Sequence, residues 1–141
     1  MDRIDKEKYY LDIALQVAKR GTCLRRNYGA VIVNNDEIIA TGYTGSPRGC
    51  INCCDSGINY ELCKSVHAEQ NAIISASRKD CIGATLYLAG IDAVTGEKIQ
   101  DPNCCTLCKK IIINSGIYYV VTESRFISVT EFIGEINFLY K

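Results

Sequence analysis

His67, Glu69, Cys105 and Cys108 are the residues through which this chain could do chemistry. His67 is the only histidine among 141 residues, and Cys105 and Cys108 form a Cys-x-x-Cys pair. One imidazole and two thiolates are a ligand set for tetrahedral zinc that leaves a fourth position for water. Glu69, just beyond the histidine, is placed to face that water without ligating the ion, which favours hydrolysis over a structural clip. Neither half suffices alone. A lone Cys-x-x-Cys is also a redox pair or half of a structural site, and a glutamate in a first helical turn also offsets the helix dipole. Together they point to a catalytic metal.

Such side chains need elements to hold them. Residues 3–20 place Ile4, Leu11, Leu15 and Ala18 at helical spacing, with Gly21 to close the helix. Residues 30–33 and 38–41 are short β-branched runs joined by Asn34-Asn35-Asp36, a hairpin signal. Residues 43–66 read as loop and 67–79 as helix. A strand is expected over 85–89, a helix over 105–114 stopped near Gly116, and a strand over 117–122. A last amphipathic helix carries Val129, Phe132, Ile133, Ile136 and Leu139. This order predicts an α/β fold of three layers (α-β-α), a mixed central sheet flanked by helices, as one domain over 1–141. Both ligand motifs then open helices, where amide dipoles favour thiolates.

Bulk properties narrow the partners. Formal charge is balanced and no basic run appears, so polymeric nucleic acid is not expected as a partner. No apolar stretch is long enough to span a bilayer. Met1-Asp2-Arg3-Ile4-Asp5 lacks the apolar core of a signal peptide, so the expected address is cytoplasmic. In that setting nine cysteines suit metal ligation better than a disulfide framework.

The run His67-Ala68-Glu69-Gln70-Asn71-Ala72-Ile73, read with the later Cys-x-x-Cys, resembles the cytidine and deoxycytidylate deaminases, zinc enzymes with this signature. The dCMP-acting members are the nearest. Further blocks agree in order: Cys23-Leu24-Arg25-Arg26, Gly29-Ala30-Val31-Ile32-Val33, Thr41-Gly42-Tyr43-Thr44-Gly45-Ser46-Pro47, and Gly83-Ala84-Thr85-Leu86-Tyr87. The resemblance implies Zn2+ on His67, Cys105 and Cys108, and hydrolysis of dCMP to dUMP and ammonia. Glu69 would take the water proton, deliver it to N3, and later help the amino group leave as ammonia. Two other readings stand beside it. One is the same chemistry on dCTP or another cytosine nucleotide or nucleoside. The other is a zinc-stabilised nucleotide-binding module without activity, against which an intact Glu69 argues.

The resemblance also implies secondary roles. Ala68 would help read the pyrimidine through its backbone, and Thr44 would touch the deoxyribose where the family usually has asparagine. Arg25 would sit near the phosphate, with Arg26 beside it able to substitute. Some members carry a structural zinc, to which Cys23, Cys53 and Cys63 correspond, with Cys50 or Cys54 as the remaining ligand. Arg78 matches a position tied to effector response (dCTP, dTTP) or subunit contact, and a homo-oligomer, dimer or hexamer, is implied. Three departures stand out. Cys104 replaces a proline, residues 90–103 form a longer connection, and Thr122 and Phe126 stand where many members have tyrosines near the substrate. Cys81 and Cys104 are expected to pack in the core.

Overall fold

The structure, a computed structural model, describes residues 2–52 and 63–140. The first helix, α1 (Lys6–Ala18), starts where the Asp5 carboxylate accepts the Lys8 N–H at 2.8 Å. Its buried stripe is Tyr10, Ala14 and Ala18. That corrects the expected face: Leu11 and Leu15 flank the stripe half-buried, and Ile4 lies before the helix, 48% exposed. Small alanines are buried there because the helix lies directly on a strand.

That strand is β1 (Arg26–Asn34), and it turns into β2 (Glu37–Tyr43). Asn35 and Asp36 make the turn with φ of 52° and 61°. Left-handed backbone at both central positions matches the right-handed twist of the two strands. Next come α2 (Ala68–Ser75) and a four-residue α3 (Arg78–Cys81). The single helix expected over 67–79 is therefore broken. The reason is local: the Ser77 hydroxyl accepts the Asp80 N–H at 3.1 Å and caps a new helix instead of continuing the old one.

After β3 (Thr85–Asp92), α4 (Thr106–Ser115) ends on Gly116, whose φ of 90° suits a residue without a Cβ. Then follow β4 (Tyr119–Val121), β5 (Phe126–Ser128) and α5 (Val129–Leu139). The strand expected over 117–122 is shorter, and β5 gave no periodic signal because three residues are too few to show alternation. The sheet runs β2-β1-β3-β4-β5. Only β3 and β4 are parallel, joined through α4; the other pairs are antiparallel. This is the mixed, helix-flanked sheet the sequence implied.

Each face of the sheet buries its own cluster. On one side Tyr10 and Ala14 of α1 pack on Val31, Val33, Tyr87 and Val121. On the other, Ala68 and Ala72 of α2, Ile112 of α4 and Phe132 of α5 pack on Ala30, Ile32, Leu86 and Val120. Two glycines set how closely helices approach. A Cβ on Gly29 would meet the α1 backbone at Ala14 and Ala18, and one on Gly42 would meet the α2 backbone at Ala68 and Ala72. Backbone cannot give way as a flexible side-chain end can. Gly42→Ala is therefore expected to lower unfolding free energy by about 1–3 kcal/mol. Urea denaturation measures it, and an unchanged midpoint would show that α2 does not rest on β2 as described.

Candidate metal and active site

The site is assembled from the starts of two helices. His67 is the N-cap of α2: its N–H donates to Gln70 Oε1 at 3.1 Å, and its carbonyl accepts the Asn71 N–H at 3.0 Å. Asn71 Nδ2 donates to the Tyr43 carbonyl at 2.8 Å, fastening the same turn to the end of β2. Cys105 is the N-cap of α4, where its sulfur accepts the Cys108 N–H at 3.4 Å. Capping thus orients both motifs before any ligand is considered.

The side chains then converge. His67 Nδ1 lies 3.2 Å from Cys108 Sγ and 3.5 Å from Cys105 Sγ. Among the described residues this trio is the one group whose donor atoms all fall within 4.8 Å and could share a metal. A tetrahedral zinc with Zn–N near 2.0–2.1 Å and Zn–S near 2.3 Å separates nitrogen from sulfur by roughly 3.5 Å. The observed spacings fit that ion, and both point to Nδ1 as the ligating nitrogen.

The charges fit as well. The Cys105 thiol is held down to about 3, first by its hydrogen bond with Cys108 and then by the His67 imidazole. Cys108 is pushed up by the same contact with Cys105 and by burial. His67 is raised, chiefly by its hydrogen bond with Cys105. Two sulfurs and an imidazole sharing protons at these distances form a cluster from which a divalent cation displaces protons on binding.

Glu69 follows in the first turn of α2 and is 5% exposed. Burial pushes its carboxyl above the ordinary 4.5, while hydrogen bonds from its own backbone and the Cys104 thiol pull the other way. A carboxyl raised towards working pH is the form that can both accept and return a proton. Cys104, itself buried with its thiol pushed up by burial, packs in the core as expected and also touches Glu69, a contact the sequence did not reveal.

His67, Glu69 and Cys105 open onto a cavity of about 320 Å³. Arg25, Arg26 and Thr44 line the same cavity. The Thr44 hydroxyl is already engaged, accepting the Tyr28 N–H at 3.0 Å. Tyr28, Ser65 and Asn103 also line it, and sequence reasoning missed all three. Ser65 Oγ is buried with no hydrogen-bond partner among the described residues, so the wall offers an unused hydroxyl. The signal for Tyr28 was strand alternation, which puts it on the same face as Ala30. Ser65 and Asn103 are irregular-loop residues and carried none.

The remaining expected positions are divided between this cavity and other parts of the fold. The Ala68 side chain is fully buried against the sheet, which leaves its backbone as the part that could meet a substrate. Cys23 and Cys63 both line the cavity, whereas Cys53 and Cys54 lie outside the described residues. Cys50 is exposed. Arg78 donates from Nε to the Asn114 carbonyl at 3.3 Å and lines a groove with Ile73 and Lys110, away from the metal ligands. Thr122 lines a separate cavity against α1, and the Phe126 ring packs on Tyr119 with centroids 5.0 Å apart. Neither residue lines the cavity that holds His67 and Glu69.

Comparison with known proteins agrees with this geometry. The profile described as the cytidine and deoxycytidylate deaminase zinc-binding region matches residues 4–124. The deoxycytidylate deaminase of Mycobacterium phage D29 is 35% identical over 135 residues, covering 86% of this chain and 96% of that protein. That of Saccharomyces cerevisiae is also 35% identical, over 131 residues, but the match spans 85% of this chain and only 38% of that protein. The crystal structure of the dCMP deaminase from cyanophage S-TIM5 in complex with dCMP and dUMP superposes with a TM-score of 0.64 at 26% identity. That superposition covers 85% of this chain and 83% of that one. No helix among the described residues is long and apolar enough to cross a membrane.

Proposed function

This chain belongs to the cytidine and deoxycytidylate deaminase family, and from that premise we propose that it is a zinc-dependent hydrolase converting dCMP and water to dUMP and ammonia. The observation that carries the proposal is a buried, raised carboxyl, Glu69, beside a three-donor cluster at the wall of a nucleotide-sized cavity. His67, Cys105 and Cys108 would hold the metal. Zinc bound there supplies the positive charge that lets water ionise near neutral pH. Glu69 takes the proton released as water adds to C4 of the cytosine ring and passes it to N3. It then takes the remaining proton from the new C4 hydroxyl and delivers it to the exocyclic amino group, which leaves as ammonia as the C4 carbonyl forms and the C–N bond breaks. The buried Cys104 thiol and the first turn of α2 keep the carboxylate in place while it does so.

The rest of the wall suits a nucleotide. Arg25 and Arg26 offer planar donors that match phosphate oxygens, which favours a phosphorylated substrate over the free nucleoside. A structural zinc on Cys23, Cys53, Cys63 and either Cys50 or Cys54 belongs to the same reading, supported by Cys23 and Cys63 standing on one cavity wall. A homo-oligomer is supported by exposed Ile74 and Leu107 on α2 and α4, near the groove that holds Arg78. Regulation by dCTP or dTTP would then act through that groove. The cytoplasmic address is supported by described cysteines that form no disulfide.

Ammonia release from a panel of dCMP, dCTP, CMP, deoxycytidine and cytosine tests the proposal, with dCMP expected to turn over fastest. Its pH dependence carries a second check. Glu69 must be deprotonated to take a proton from water, and its pKa is raised, so acid removes activity sooner than it would with an ordinary carboxylate. The acid limb of kcat/KM is expected above pH 4.5. An acid limb that stays unchanged in Glu69→Asp would take the proton shuttle away from Glu69.

A further inference from the structure

Beyond the arginines, we propose that Tyr28 is a specificity-determining residue that reads the anionic 5′ end of the substrate through its phenolic hydroxyl. The inference rests on the nucleotide reading of this cavity and adds a residue that reading did not contain. Tyr28 lies on β1, and in a strand the residues two apart point to the same side, so Tyr28 follows Arg26 on one face. Both line the cavity that holds His67 and Glu69.

The ring is held from beneath. Gly90 of β3 stands directly opposite Tyr28 in the ladder, and a Cβ there would come within 2.7 Å of the ring at Cδ1 and 2.8 Å at Cε1. The missing side chain is therefore a seat for the aromatic body. The backbone is fixed as well: the Tyr28 N–H donates to Thr44 Oγ1 at 3.0 Å, and the Thr44 N–H donates to the Tyr28 carbonyl at 3.2 Å. A tyrosine whose apolar body rests on sheet and core presents its polar tip to whatever fills the cavity. Beside Arg25 and Arg26 that tip is a neutral donor suited to a phosphate oxygen.

Tyr28→Phe removes the hydroxyl and keeps the ring. Binding of dUMP and of deoxyuridine, measured by calorimetry on the zinc-loaded protein, reads the phosphate contact without requiring turnover. The expected result is about a 10-fold or greater loss of dUMP affinity with little change for deoxyuridine. In steady state, KM for dCMP rises by a similar factor while kcat holds. Unchanged dUMP affinity, equal losses for both ligands, or a wild-type protein that does not bind dUMP would each overturn the assignment. If the wild type binds dUMP but releases no ammonia from dCMP, the proposed reaction fails while the role of Tyr28 stands.

Discussion

Glu69→Gln keeps the zinc content of the wild type and lowers kcat for dCMP by about a thousandfold or more. The amide is nearly isosteric and can still sit in the first turn of α2, so the donor cluster formed by His67, Cys105 and Cys108 has no reason to move. What the amide cannot do is accept a proton and give it back. General acid–base catalysis of a single transfer is worth about 10²- to 10⁴-fold, and here one group serves the water, the ring nitrogen and the departing amine in turn. Metal analysis and ammonia release on the same preparation decide the matter. A variant with full zinc and substantial turnover would remove Glu69 from the mechanism, and one without zinc would show that it supports the metal instead.

Cys108→Ala is expected to lose one zinc per chain and all measurable deamination. Its sulfur is fully buried, 3.2 Å from His67 Nδ1 and packed with Ala68, Ala72 and Ile112. Removing it takes away a ligand and a piece of core together, so the melting temperature falls by several degrees as well. Cys81→Ala separates the two effects. Cys81 is equally buried in the same apolar cluster but is not among the metal donors. That variant loses packing while retaining zinc and activity. Equal zinc loss in both would mean that the metal responds to general destabilisation and not to the Cys108 sulfur.

How far the sequence foretold this architecture depended on how each element announces itself. The metal cluster was legible because its residue types are rare: a single histidine and a spaced cysteine pair admit few readings. The β1–β2 hairpin was legible because Asn35 and Asp36 tolerate the left-handed backbone the turn requires. The break between α2 and α3 was not, since the Ser77 cap competes with a helical pattern that continues through it. The buried stripe of α1 was misplaced because leucines outrank alanines in any hydrophobic reading, whereas contact with Gly29 demands the small residue. Tyr28 went unnoticed for a related reason. Its partner across the ladder, Gly90, is what turns a strand aromatic into a cavity wall, and that pairing exists only in three dimensions.

The donors for the metal stand on the first residues of two helices whose directions are set by the sheet, while much of the surrounding wall comes from irregular chain such as Ser65 and Asn103. The donor cluster is thereby tied to the sheet, while part of the wall around it is held by no regular element. A substitution at Ser65 or Asn103 therefore reshapes the cavity wall without disturbing the helix starts that hold the donors.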